Sequence, residues 1–564
     1  MSATPTSFDA NRPGPQAAGG DAPTLLQRLY RRDLAAYPAT GPRMAYLAIV
    51  VVTTVVLYYM LYIQYAVATS IITHFDMTYR YFVWVSVIGN AVGAFASLVA
   101  GLADRWGRAN MVVYGLLIAS LLVYFGLPNA GSKAVYLVLF ALVSIVEGIV
   151  LVATPALIRD FSPQLGRATA MGAWTMGPVV GSLVVTTVTS QTLDTSSWQD
   201  ELRYSALSGL VVFVVAIVAL RELSPRLRDQ IMVTLRDRAL VEARAKGIDP
   251  QAGRRAEWRQ MLRLDIAGSG LAIALFLLLY FAAVGNFVVY FATTYGYSEQ
   301  RANAVANWYW AANAIALVVV GLLSDRLKVR KPFMVVGAVG SIVMTAVFAT
   351  RATHPTTDYY TFAWLFVGIG VFSGVAYGPW MAGFTETVEK HNPAATATGL
   401  AVWGWTIRIV VAVSAAFIPV LVTSVTPLVD HGPQVTAAQA QAGPALAIVG
   451  AHQDIFAELG KYPAGKAPAD VTARAVQEVG PADLATVQKA GPQLAVLQKY
   501  GTKVQKAAHD GPSQWRTWWW ICVGGQVLFL PFVFLMAGRW SPRKAREDAA
   551  LHQAAVDREL ASLT

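Results

Sequence analysis

Twelve stretches of the chain are apolar and long enough to read as membrane-crossing helices, and the polar segments between them differ greatly in length. The hydrocarbon core of a bilayer is about 30 Å thick, so a helix needs roughly 20 apolar residues to cross it. Such runs lie at 44–69, 80–103, 110–128, 133–158, 166–190 and 204–221, and again at 264–290, 302–324, 332–351, 358–384, 394–424 and 515–538. The pattern predicts an N-terminal bundle of six spans over 44–221 and a second group of six. A charged linker at 222–263 joins them, and polar tails occupy 1–43 and 539–564. A further polar segment, 425–514, interrupts the second group before its last span. It is rich in Ala and Gln, and Gly-Pro pairs beginning at Gly432, Gly443, Gly480 and Gly491 predict short amphipathic helices with breaks between them, such as 484–497.

Composition narrows the class. Of 564 residues, 55% are hydrophobic and 14% charged, and the mean hydropathy is +0.47. Soluble domains carry about 25% charged residues, so a multi-domain soluble protein is excluded, and an all-α membrane protein is expected, embedded in the lipid bilayer. The formal charge of +11 does not form a basic face interleaved with aromatics, which argues against a nucleic-acid partner. The basic residues sit between the apolar runs instead, densely from Arg221 to Arg263, while the charges of 425–514 balance. Positive charge marks the cytoplasmic side of a cell membrane, which puts the linker and both termini in the cytoplasm and 425–514 outside. No signal-peptide core precedes the first run, so that run is expected to stay as an anchor. Trp515, Trp518, Trp519 and Trp520 are expected to form an interfacial belt where the last span re-enters the membrane.

The two groups echo one another. Gly101, Asp104, Arg105, Gly107 and Arg108 follow the second span, and Gly321, Asp325, Arg326, Arg330 and Lys331 follow the eighth; the aspartates are 325 − 104 = 221 residues apart. A second echo, Ala168-Thr-Ala-Met-Gly172 against Ala395-Thr-Ala-Thr-Gly399, is offset by 395 − 168 = 227 residues. Two echoes at nearly one offset argue for duplicated six-helix bundles. With twelve spans and this loop, the sequence resembles the major facilitator superfamily (MFS) of secondary transporters. The resemblance implies the MFS fold, two pseudo-symmetric bundles around a central cavity, with an external helical insert added here. It also implies that Gly101, Asp104, Arg105, Gly107, Arg108, Asp325 and Arg326 serve a cytoplasmic gate. Span five contains Gly177-Pro178-Val-Val-Gly181, similar to the family's antiporter motif with its outer glycines replaced by Ala173 and Ser182. Gly-Pro allows a kink and close helix packing, which explains the same residues without any role in transport.

Ordering ionisable residues by depth leaves Glu147 and Arg408 well inside apolar runs, one in each half and each roughly 21 Å from a helix start at 1.5 Å per residue. A central charge costs at least about 2.5–3.5 kcal/mol to insert, so such residues face a cavity or a partner. Glu147 is the candidate proton-coupling acid, and Arg408 its switchable partner or an anion-binding group; a static buried ion pair is the alternative. Tyr62, Tyr65, Asn286, Asn307, Tyr377 and Trp380 are the cavity candidates, a wall suited to a small amphipathic organic solute. There is no phosphate-binding G-x-x-x-x-G-K-[ST], so no nucleotide is expected as an energy source, and no nucleophile or metal-ligand motif points to an enzyme, a metal or another cofactor. The expected activity is secondary active transport coupled to protons, with export favoured. A proton symporter importing an organic acid, and a non-transporting receptor or scaffold on the same fold, are the alternatives.

Overall fold

In a hydrocarbon solvent every backbone polar group must be bonded within its own segment, which forces the apolar runs into helices. A computed structural model describes residues 31–98, 107–162, 172–224, 227, 260–354, 356–391, 396–463 and 466–563. Among these residues, ten helices are long and apolar enough to cross a membrane. In the first half they are span one (Thr40–Ala66), span three (Arg108–Asn129), span four (Lys133–Phe161) and span six (Trp198–Ala219). In the second half they are span seven (Leu264–Tyr295), span eight (Glu299–Leu327), span nine (Lys331–Arg351), span ten (Tyr359–His391), span eleven (Val402–Leu421) and span twelve (within Gly491–Leu535). The helices Tyr79–Leu98 and Gly177–Thr192 stand where spans two and five are predicted. The end that carries the Arg108 and Arg330 loops is called the basic end here, and the end that carries 425–514 the insert end.

Each bundle hides one helix face and leaves another bare. Val211, Val214, Val215 and Val218 of span six are exposed together, as are Ile315, Val319 and Leu322 of span eight, the arrangement lipid contact requires. Inside the bundles, small residues set the helix spacing. A Cβ on Gly148 of span four would lie 2.3 Å from the carbonyl oxygen of Gly93 in span two, so these backbones touch directly. A Cβ on Gly181 would lie 2.6 Å from the Cβ of Tyr58 in span one.

Three sequence expectations change at the insert end. The helix Val425–Ala451 runs unbroken through both Gly432-Pro433 and Gly443-Pro444, because each proline's ring and missing N–H are absorbed within one long helix. The predicted 484–497 helix is split, with Pro481–Lys489 followed by Gly491–Val496; Gly480, at φ +87, makes the break before it. Span twelve is the continuation of a helix that begins inside the insert, Thr502–Leu535. The tryptophan belt is also revised. Trp515, Trp518 and Trp519 are buried, with Trp515 and Trp519 stacked at 5.3 Å and Tyr290 packed edge-on against both; Trp520 alone of the four is exposed. Aromatic packing against span seven gains more than an interfacial position here.

At the basic end, the N-terminal tail closes over the first bundle. Asp33–Leu34 pairs in parallel with Glu222–Leu223, and the buried Arg32 donates to Asn110 Oδ1 at 2.9 Å and to the carbonyl of Ile217 at 2.8 Å, satisfying the open end of span six. The direct backbone contact at Gly148 yields a test: Gly148→Ala should cost about 1–3 kcal/mol by overpacking. Gly285→Ala, where no atom lies within 4 Å of the added Cβ, should be neutral or slightly stabilising in thermal unfolding of the purified protein.

Candidate functional site

Glu147 sits in the middle of span four, one residue before the glycine that presses on span two. It is buried, and its Oε1 has no hydrogen-bond partner among the described residues. Arg408, on Thr396–Leu421 of the second half, interacts with it electrostatically across the molecule. Tyr58 of span one lies within electrostatic reach of both groups, and Tyr62 and Tyr65 within reach of Glu147. The tyrosines gather because 58, 62 and 65 share one helix face; their rings follow one another at 5.3 and 6.4 Å. From the second half Tyr280 approaches Tyr62 and packs edge-on against Trp310 at 5.2 Å, while Tyr377 lies within electrostatic reach of Tyr58. An acid, a guanidinium and phenols from both halves therefore lie within electrostatic reach of one another.

The remaining wall candidates divide. Tyr62 and Tyr65, with Ser182, Thr186, Asn303 and Trp310, line a small cavity between spans one, five, seven and eight. Its volume is about 20 Å³, on a scale where one water needs about 10–15 Å³, so it has room for little more than a water in this conformation. Trp380 is fully buried within the second half, stacked on Phe384 at 4.9 Å and 6.2 Å from Tyr377. Asn286 and Asn307 are used in bridges between the halves. Asn286 Oδ1 accepts from Tyr79 Oη at 2.6 Å, and Asn307 Oδ1 from Thr186 at 2.9 Å and Thr187 at 3.0 Å.

Those bridges belong to a closure of the insert end that includes residues the sequence did not single out. Glu299, in the first turn of span eight, accepts from Thr69 Oγ1 at 2.6 Å, from the Ser70 amide at 2.9 Å and from Ser70 Oγ at 2.6 Å. Asn303 donates to the carbonyl of Ala66 at 2.9 Å. From sequence Glu299 reads as an ordinary first-turn acid behind the N-cap Ser298, a role that accounts for it completely. Glu201, which lay just outside a predicted run, is buried in the first half and accepts from Thr192 and Ser196.

At the basic end, Gly101, Asp104 and Arg105 lie outside the described residues. Gly107 adopts φ +89, and the following Arg108 amide donates to Glu222 at 2.7 Å while its guanidinium grips Asp160 at 2.9 and 3.0 Å. In the second half Arg330 pairs with Asp325 at 2.6 Å and Glu386 at 3.1 Å, whereas Arg326 is exposed. The arginines are offset by 330 − 108 = 222 and the acids by 386 − 160 = 226 residues, so the internal repeat extends to ion pairs that tie each loop to the end of span four or ten. Span five restarts at Gly177 after a turn at Met176, with Pro178 in its first turn where no hydrogen bond is lost, and Gly177 and Gly181 both face span one. Among the described residues no group of three or more His, Cys, Asp or Glu is arranged to hold a metal.

Comparison with known proteins agrees with this architecture. A probable nitrate/nitrite transporter, NarK2, of Mycobacterium tuberculosis is 26% identical over 314 residues, 54% of this chain and 70% of that protein. The fold is similar to that of a bacterial homologue of the human lysosomal transporter Spinster, in its inward-facing and unoccupied conformation. The TM-score is 0.59 at 15% identity, over 90% of this chain and 100% of that one. A D-xylose–proton symporter gives a TM-score of 0.52 at 14% identity, over 66% and 90% of the two chains. The family model of the Major Facilitator Superfamily matches residues 50–413, more than half of the chain, and the protein belongs to that family of multi-pass membrane transporters.

Proposed function

We propose that the protein is a proton-coupled secondary transporter that moves a mid-sized amphipathic organic solute by alternating access, with export as its direction. The observation that carries this reading is the buried carboxyl of Glu147, one oxygen of which lacks a hydrogen-bond partner among the described residues, within electrostatic reach of Arg408 from the opposite half. A carboxylate in low dielectric keeps its charge only while a cation compensates it, so separation of the halves favours taking up a proton and their approach favours releasing one. A solute whose own polar groups stabilise the charged carboxylate favours release of that proton, so solute and proton displace one another, as export against proton entry requires. Proton and solute are thereby linked through one acid–guanidinium pair, and Tyr58, Tyr62, Tyr65, Tyr280 and Tyr377 offer hydroxyls and ring faces to the solute.

The resemblance of Gly177-Pro178-Val-Val-Gly181 to an antiporter motif supports export, and the basic loops support a cytoplasmic position for both termini in a cell membrane. The loop ion pairs of Arg108 and Arg330 keep each bundle rigid as the two rock, which is the part taken here by the gate residues Gly107, Arg108 and Asp325. A second reading is favoured by the mycobacterial relative, whose name specifies nitrate and nitrite: import of an anion that docks on Arg408 together with a proton on Glu147.

Two measurements test these readings. In liposomes holding the purified protein, Glu147→Gln should abolish solute flux driven by a pH gradient and leave solute counterflow intact; an unchanged pH-driven flux removes Glu147 from the coupling. In a thermal-unfolding screen, a true cargo at a hundred times its Kd should stabilise the protein by about 2.7 kcal/mol. Stabilisation by amphipathic organic solutes supports export of such compounds, and stabilisation by nitrate or an organic acid that is lost in Arg408→Gln supports the second reading.

A further inference from the structure

The insert lies beyond residue 413, where the family match ends, and neither the proton pair nor the loop ion pairs involve it. Its first helix, Val425–Ala451, projects from the end of span eleven and packs against spans two, seven and twelve. Two bonds and an apolar cluster hold the insert as a whole. The Ser424 amide donates to Gln514 Oε1 of the span-twelve helix at 2.9 Å, Arg474 pairs with Glu458, and Ile455, Ala475 and Val479 form a small core with Phe456 and Leu484.

From this helix, Asp430 reaches the other half. Its Oδ1 accepts the backbone N–H of Tyr79, the first residue of span two, at 2.7 Å. The first amides of a helix have no acceptor within the helix. Span two meets one of them locally, since Thr78 Oγ1 accepts from the Tyr81 amide at 3.2 Å, and meets another through Asp430, 351 residues away in sequence. The carboxylate also lies at the positive end of the helix dipole, with Arg80, His431 and Lys503 in its surroundings. Tyr79 is fixed a second time, because its buried hydroxyl donates to Asn286 of span seven. The first residue of span two is therefore gripped by the second half at both its backbone and its side chain, and spans two and seven cannot part at the insert end while both bonds stand.

We propose that the 425–514 insert is a bracket on the external gate, in which Asp430, by capping span two, holds the insert end closed and sets how often it opens. Asp430 is a positioning residue: it touches no cargo and acts through Tyr79. The inference rests on alternating access and is independent of the proton role given to Glu147. It also assigns a part in the transport cycle to a segment outside the family match.

The test uses the full chain in liposomes with the single cysteine, Cys522, replaced by serine. A reporter, Ala306→Cys, is placed in the wall of the small cavity, where Ala306 is buried. A membrane-impermeant maleimide added from the insert side reads opening as a labelling rate. Loss of a charge-assisted hydrogen bond should shift the equilibrium towards opening, so Asp430→Ala should speed labelling about tenfold, with Asp430→Asn in between. Tyr79→Phe, which breaks the Asn286 bridge, should speed it as well and shows that the reporter senses the gate. Unchanged labelling in Asp430→Ala beside faster labelling in Tyr79→Phe overturns the bracket. Unchanged labelling in both overturns the gate itself, and with it the alternating-access basis. A purely structural role would lower the melting temperature without raising the labelling rate. If Asp430→Ala fails to fold, Asp430→Asn, nearly isosteric, decides by the same criterion.

Discussion

A carboxyl group held in the middle of an apolar bundle has few stable options: it is neutral, or it has a cation nearby. Glu147 is in that position, and the cation within its reach, Arg408, belongs to the opposite half of the molecule. The relation between the halves therefore cannot change without changing the electrostatic state of the site. The rest of the structure serves this constraint by keeping each half stiff and leaving the boundary between the halves adjustable. Within a half, helices meet backbone to backbone, as Gly148 meets Gly93, and overpacking would prevent any slack. Between halves, much of the contact at the insert end is polar and separable: Glu299 with Thr69 and Ser70, Asn307 with Thr186, Tyr79 with Asn286.

Hydrogen bonds suit such a boundary. Their net worth is small because water replaces them when the end opens, whereas interdigitated apolar side chains would have to be exposed at full cost. The cavity of about 20 Å³ behind these bonds is walled in part by phenols, hydroxyls and an amide. At the basic end the logic is reversed. There Arg108–Asp160 and Arg330–Glu386 are contacts inside one half each, so they brace a bundle without tying it to the other.

The insert follows from the same economy of helix ends. Span two begins with amides that need acceptors, and an acid from a distant helix supplies one of them. A long helix through two Gly-Pro pairs is the means by which that acid is delivered across the boundary.

Sequence alone determined what depends on composition and on local period: the helical class, nearly all of the span positions, the duplicated halves, and the two deep charges, because a bilayer tolerates few solutions to an apolar run. In the second loop Arg330, four residues past Arg326, is the one that forms the pair, since facing the neighbouring helix end is a matter of tertiary direction. What only the tertiary structure decided was which polar residues meet. Asn286 and Asn307 read as cavity wall, Glu299 as an ordinary first-turn acid and Asp430 as one of the balanced charges of 425–514, because a partner 351 residues away leaves no periodic trace. The buried tryptophans of span twelve show the same rule: local signals state a preference, and packing against span seven outweighs it.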